Sequence, residues 1–117
     1  LLDTSPAAHA LVVLHHPPVS LESAWLDAIG LEDGMGLLAR VAQQPTVRGI
    51  VFGHVHQAYD AMAGHLRLLG TPSTCAQFKP RSTHFEVDDL PPAWRRIALH
   101  ADGRIESSVG WATRPAD

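Results

Sequence analysis

Cysteine is almost missing from this sequence: Cys75 stands alone, so no intrachain disulfide can form. A chain that does without disulfides suits a reducing interior, and a cytoplasmic setting is expected. Basic residues are also few, nine Lys and Arg against twelve Asp and Glu, giving a formal charge of −3. That balance argues against a polyanion-binding surface, which needs a basic patch, so no nucleic-acid partner is expected. No apolar run approaches the ~20 residues that span a bilayer, so no membrane partner is expected. The start has no basic region leading into an apolar one, so no secretory leader is read there. Charged residues make up only 18% of the chain and apolar ones 45%, the balance of a globular rather than a disordered protein. The length, 117 residues, is one domain's worth. The chain starts at Leu1 rather than Met, which suggests a fragment or a processed product.

Histidine, by contrast, is abundant. Four of the eight fall in two short clusters, His15-His16 and His54-Val55-His56. Each cluster ends an apolar run of strand length, Leu11-Val12-Val13-Leu14 in one case and Val47 to Phe52 in the other. Fully apolar runs suit strands covered on both faces, and in α/β sheets ligands gather beyond the carboxyl ends of such strands. Imidazoles two apart on an extended segment project to the same side, so His54 and His56 are expected to form a fork. A fork of this kind suits a transition metal or a phosphate. Pro17-Pro18 ends the first run, because proline has no N–H to donate to a sheet.

Between the clusters, residues 19–30 read as a long irregular loop in which Trp25 either closes over a planar ligand or packs beneath the loop. Asp33 reads as an N-cap for a helix over 34–44 that Pro45 ends. Its apolar stripe (Met35, Leu38, Ala39, Ala42) makes it a crossover that lets the second strand run parallel to the first. Residues 58–63 and 66–69 read as a hairpin turning at Ala63-Gly64-His65, with His65 solvated. Residues 71–80 form a small polar loop suited to lining a phosphate or nucleobase pocket, Cys75 being alternatively a buried small hydrophobe. Residues 83–87 alternate as a strand. Residues 94–100 and 104–111 read as a final hairpin around Asp102-Gly103, with His84 and His100 structural. No repeat or heptad is present.

The pair His15-His16-Pro17-Pro18 and Gly53-His54-Val55-His56 resembles the last two motifs of the calcineurin-like metallophosphoesterases. Within them, Leu69-Gly70-Thr71-Pro72-Ser73-Thr74-Cys75-Ala76-Gln77-Phe78-Lys79-Pro80 is similar to the bacterial class III 3′,5′-cyclic AMP phosphodiesterases. So are Pro92-Ala93-Trp94-Arg95 and Leu99-His100-Ala101-Asp102-Gly103. The family's earlier Asp-x-His, Gly-Asp and Gly-Asn-His motifs are absent from this sequence.

The resemblance implies an α/β fold in which residues 1–117 are the C-terminal portion of a four-layer α/β/β/α sandwich. The metal-binding N-terminal half is the partner it lacks. It also implies His15 and His54 as ligands of one metal and His56 of a second, the ions being iron, manganese or zinc. Two such ions activate a water and clamp the phosphoryl oxygens of cyclic AMP, giving 5′-AMP. The family's general-acid histidine has no counterpart here, so no catalytic residue is assigned and the isolated chain is expected to be inactive. His16 is expected either beside the metals or phosphate or in a structural role. Trp25, Thr74 and Cys75 are candidates for the substrate pocket. Half a sandwich exposes an apolar sheet face, which implies a homodimer. Another phosphodiesterase, a phosphomonoesterase or a non-catalytic assembly module retaining metal-site residues are the competing readings. A mononuclear structural zinc site fits less well, since three histidines without a thiolate leave a coordination position open.

Overall fold

Two apolar runs, Ala10–Leu14 (β1) and Val47–Phe52 (β2), lie parallel in the computed structural model, which describes residues 1–113. Val12, Val13, Val47, Ile50 and Val51 carry the β-branched side chains that favour extended backbone. The connection holds a one-turn helix, Ala24–Asp27 (α1), within the segment read as irregular, and then Gly34–Ala42 (α2). Asp33 caps α2 as anticipated, its carboxylate accepting from the Gly36 amide at 3.3 Å. The helix stops at Ala42, short of the anticipated Gln44.

Tyr59–Ala63 (β3) and Leu66–Gly70 (β4) form the anticipated hairpin, and β4 returns parallel to β2. The sheet order is β1-β2-β4-β3, mixed in direction, with one edge of β1 unpaired among the described residues. A second, two-stranded sheet is the closing hairpin, Ala93–Leu99 (β5) and Ile105–Trp111 (β6), turning at Gly103 with φ of +88°. The anticipated strand over 83–87 does not form. Only Val87 makes a single bridge, to Phe78. Alternation alone cannot build a strand without a partner ladder, and here the segment is held as a loop. The Ser82 hydroxyl donates to His84 O at 2.6 Å, and Lys79 N donates to Glu86 O at 2.8 Å.

The core lies between one face of the larger sheet and the two helices. Ile50, Phe52, Leu66 and Leu68 meet Leu26 and Val41 there, with Leu37 and Leu38 packed alongside. Val47 joins the same cluster because the pairing of β1 and β2 slips by one residue between Ala10 and Leu11. That bulge turns Val47 to the helix side. The other face is only partly covered, by β5–β6. Ile105 sits over Gly49, where an added Cβ would lie 2.9 Å from its Cδ1 and 2.7 Å from Arg67 O. The Arg67 guanidinium donates to Ile105 O at 2.6 Å, and that of Arg95 donates to Gly70 O and Tyr59 O at 2.9 and 3.1 Å. β1 is therefore not covered on both faces as its composition suggests: Val13 is 70% exposed. The radius of gyration is 15.4 Å, whereas a compact domain of this length has roughly 13 Å.

Two outcomes follow from this packing. Gly49→Ala wedges the hairpin from the sheet and lowers stability by about 1–3 kcal/mol, read by urea denaturation, with faster amide exchange concentrated in β5 and β6. The Arg67 guanidinium, bonded to Asp60 at 2.7 and 3.1 Å, holds that carboxyl below its ordinary value of 3.8. Because the pair is half exposed, it contributes less than about 1 kcal/mol above that pH, and the contribution is lost as pH falls through the lowered value. Asp60→Asn therefore lowers the thermal midpoint slightly at neutral pH, and the gap from wild type closes in acid.

Candidate metal centre

The parallel pairing of β1 with β2 sets Leu14 opposite Phe52, so the residues that follow each strand emerge together. His15 then lies against Gly53, where an added Cβ would stand 3.6 Å from its Nδ1. One residue further, His54 Nδ1 faces His15 Nε2 at 3.3 Å. His16 joins them, its ring centroid 5.0 Å from that of His15 and 4.7 Å from that of His54. One nitrogen from each of the three rings lies within 4.8 Å of the others.

The backbone at His54 is what aims it. Val55 N donates to Gly53 O at 2.7 Å, closing a three-residue γ-turn on His54, whose φ is +68°. This left-handed form of the γ-turn is the rare and strained one, and such strain costs on the order of 1–3 kcal/mol. Val55, completely buried, anchors the turn in the core. His56 has a positive φ as well, +47°.

The fork expected of an extended Gly53-His54-Val55-His56 is therefore corrected. The segment is a turn, and its two imidazoles go different ways, His54 to His15 and His16, and His56 to the loop after β4. The His56 Nδ1 lies 2.8 Å from Ala76 O, and its ring stacks on Phe78 with centroids 4.0 Å apart and planes 2° from parallel. A carbonyl only accepts, so His56 carries its proton on Nδ1 and keeps the Nε2 lone pair free. Histidines that bind metals are commonly held this way, with the second nitrogen tied to a carbonyl.

The nitrogens suit a cation. Two nitrogens bound to one ion at about 2.1 Å, spread near the tetrahedral angle, lie about 3.3–3.4 Å apart, the spacing that His15 and His54 already have. The His54 Nε2 is buried without a hydrogen-bond partner among the described residues. Burial, and then the neighbouring His16, His15 and His56, push the His54 pKa below the ordinary 6.5, so the ring is neutral at pH 7 with a lone pair to give. The cluster contains no carboxylate or thiolate among the described residues, so ligands from elsewhere must complete any coordination sphere.

Of the other anticipated residues, Trp25 meets Phe78 and Phe85 edge-on, with centroids 5.0 and 5.2 Å away. Thr74 and Cys75 are exposed. His65 is exposed as expected, with its Nε2 3.2 Å from Val47 O, and His100 pairs with Glu106 at 2.9 Å. Sequence reading did not single out Gln77 as a pin for the loop after β4, although it stood within the motif. It is 1% exposed and bonded at both ends of its carboxamide. Its Nε2 donates to Ser73 O and Pro91 O at 2.7 and 3.0 Å, and its Oε1 accepts from Ser73 N at 2.9 Å. A glutamine in a loop carries no local signal that it will be buried.

No protein-family model matches the chain. It is related in sequence to bacterial proteins named 3′,5′-cyclic adenosine monophosphate phosphodiesterase CpdA. Identity is 45% to the one from Vibrio vulnificus, 43% to that from Pseudomonas aeruginosa and 41% to that from Escherichia coli K12, over 92% of this chain in each case. It is also 40% identical, over 92% of its length, to a 3′,5′-cyclic-nucleotide phosphodiesterase from a Nostoc species. The resemblance read from the motifs is thus borne out. The chain spans only 39% to 41% of the length of these relatives.

Titration with Zn²⁺ or Mn²⁺, followed by calorimetry, tests the cluster. His54→Ala weakens binding about tenfold or more, and wild-type affinity falls as pH drops through the lowered His54 value, because protons compete for its lone pair.

Proposed function

We propose, on the premise that this chain is a stretch of the 3′,5′-cyclic AMP phosphodiesterases, that it supplies the histidine side of a two-metal site hydrolysing cyclic AMP to 5′-AMP. The observation that carries the reading is the facing of His15 Nε2 and His54 Nδ1 at 3.3 Å, with His16 beside them. His15 and His54 hold one ion of iron, manganese or zinc, and His56 holds the other through its free Nε2. Two such ions supply a nucleophilic water and neutralise charge on the phosphoryl oxygens.

The chain's own contribution is to orient and to exclude. The γ-turn fixes the direction of His54, and the Ala76 carbonyl fixes the tautomer of His56. The neutral rings leave the full cationic charge available to the phosphodiester, which thiolates would diminish. Phe78, stacked under His56 and backed by Trp25 and Phe85, keeps water from one side of that ring. His16 stands close enough to help position the phosphate. The acidic ligands that would complete the coordination and the acid that would protonate the leaving 3′-oxygen are assigned to residues outside this chain.

The missing part of the protein also accounts for the open surfaces. The unpaired edge of β1 and the exposed Val13 beside it fit further strands of the same sheet, and β5–β6 begins the second sheet of a four-layer sandwich. By itself the chain hides that surface by dimerising. Light scattering that gives a well-behaved monomer counts against this.

The full-length protein, loaded with manganese or iron, is assayed on cyclic AMP, a glycerophosphodiester and bis-p-nitrophenyl phosphate. Cyclic AMP is expected to be turned over best, and His15→Ala, His54→Ala and His56→Ala each to lower kcat by at least about 100-fold. Preference for another ester moves the assignment within the superfamily. A protein that binds no metal and shows no histidine-dependent activity is an assembly module instead. Robust turnover by this chain alone sinks the claim that essential ligands lie elsewhere.

A further inference from the structure

Only two polar side chains are buried among the described residues, Ser23 and Gln77. A loop gains more from burying an apolar side chain than a carboxamide, unless the polar atoms are satisfied. At Gln77 three bonds satisfy them. Its Oε1 accepts from Ser73 N at 2.9 Å, and its Nε2 donates to Ser73 O at 2.7 Å and to Pro91 O at 3.0 Å. The side chain thus bonds Ser73 as a paired strand would and closes residues 73–77 into a ring. Thr74 and Cys75, at the crest of that ring, are exposed, so the loop is held from its base.

The backbone of Gln77 is fixed as firmly as its side chain. Its carbonyl accepts from Asp88 N at 2.9 Å, and the next amide, Phe78 N, donates to His56 O at 3.0 Å. The Ala76 carbonyl belongs to the planar peptide unit that ends at Gln77 N, so its direction follows that residue. This is the carbonyl that lies 2.8 Å from His56 Nδ1. We propose, resting on the reading of His56 as a metal ligand, that Gln77 is a positioning residue for His56: by anchoring the Ala76–Gln77 peptide it keeps the Ala76 carbonyl aimed at Nδ1 and leaves Nε2 to the second ion. Gln77 itself touches neither substrate nor ion in this role.

The role needs a carboxamide, with its donor and acceptor on one side chain. An apolar residue of similar length fills the space but removes the partners of Ser73 N and Pro91 O. A carboxylate keeps the acceptor and sets a charge against two carbonyls that only accept. Either change loosens the loop at the point that carries Ala76 O. The reach of the carboxamide extends further, since Ser73 O also accepts from Ala93 N at 2.8 Å and Ala93 opens β5. Gln77 therefore ties the entry of the closing hairpin to the histidine turn after β2. Loss of the group that orients a ligating histidine costs about tenfold to 100-fold in metal affinity.

The test uses the full-length protein with Gln77→Met and Gln77→Glu, and with Val41→Ala as a control that loosens the core against α2 and touches none of these bonds. Long-range nitrogen–proton spectra of the metal-free protein, with isotope-labelled histidine, report the His56 tautomer. Zn²⁺ calorimetry separates the binding events, and His56→Ala identifies the one that uses His56. The wild type is expected to carry the His56 proton on Nδ1. Both Gln77 variants are expected to mix the two tautomers and to weaken the His56-dependent event by about tenfold to 100-fold, leaving the other event unchanged. Val41→Ala lowers the thermal midpoint and alters neither readout. A wild-type His56 protonated on Nε2 overturns the proposal before any variant is made. Retention of the Nδ1 proton in both Gln77 variants overturns it too, as does equal weakening of both events, which makes Gln77 a support of the fold alone. If His56→Ala leaves every binding event intact, the metal reading of His56 fails by itself, and the spectra still decide the positioning.

Discussion

The register between β1 and β2 is the constraint on which the rest depends. Parallel pairing of Leu14 with Phe52 makes two strands end level, so the residues after them are delivered to one place despite 39 intervening positions. Slipping that register by one residue would turn the side chains of a strand to the opposite face and separate His15 from His54. The bulge opposite Ala10, the apolar core against α2 and the burial of Phe52 all hold it in position. The histidine cluster is thus a consequence of sheet packing, with the local sequence adding the direction of each ring.

That direction comes from strain and from a carbonyl. The turn at Gly53-His54-Val55 places a non-glycine residue in left-handed backbone, which persists only where surrounding structure fixes it. Here the buried Val55 and the end of β2 do so. Burial, and then the rings of His16 and His15 gathered so closely around it, hold the His54 pKa below its ordinary value and favour its neutral form. The loop after β4 completes the arrangement from the other side. Gln77 pins it, Ala76 offers its carbonyl and Phe78 its ring, all toward His56.

Much of this was legible in the residues. Apolar runs bounded by proline and histidine marked β1 and β2, Asp33 marked the start of α2, and Asp102-Gly103 marked the last turn. The parallel crossover followed from a helix between two apolar strands. What sequence could not give was nonlocal or conformational. The segment at 83–87 alternates like a strand, but whether a ladder is available depends on distant chain, and among the described residues it makes only the single bridge of Val87 to Phe78. The His54-Val55-His56 fork assumed extended backbone, and only the positive φ values reveal the turn. His16, expected either beside the metals or in a structural role, stands within the cluster, whereas the burial of Gln77 was hidden, since nothing in a sequence states which polar side chain will be enclosed.

The bare edge of β1 has a meaning beyond this molecule's own assembly. A row of amides and carbonyls that no strand pairs among the described residues, flanked by Val13, does not discriminate by ancestry, so any extended segment of suitable alternation competes for it. At high concentration, copies of the chain compete for that row, and growth by strand addition leads toward fibrils. Keeping this polypeptide tractable is therefore a matter of occupying or charging one strand rather than strengthening its core.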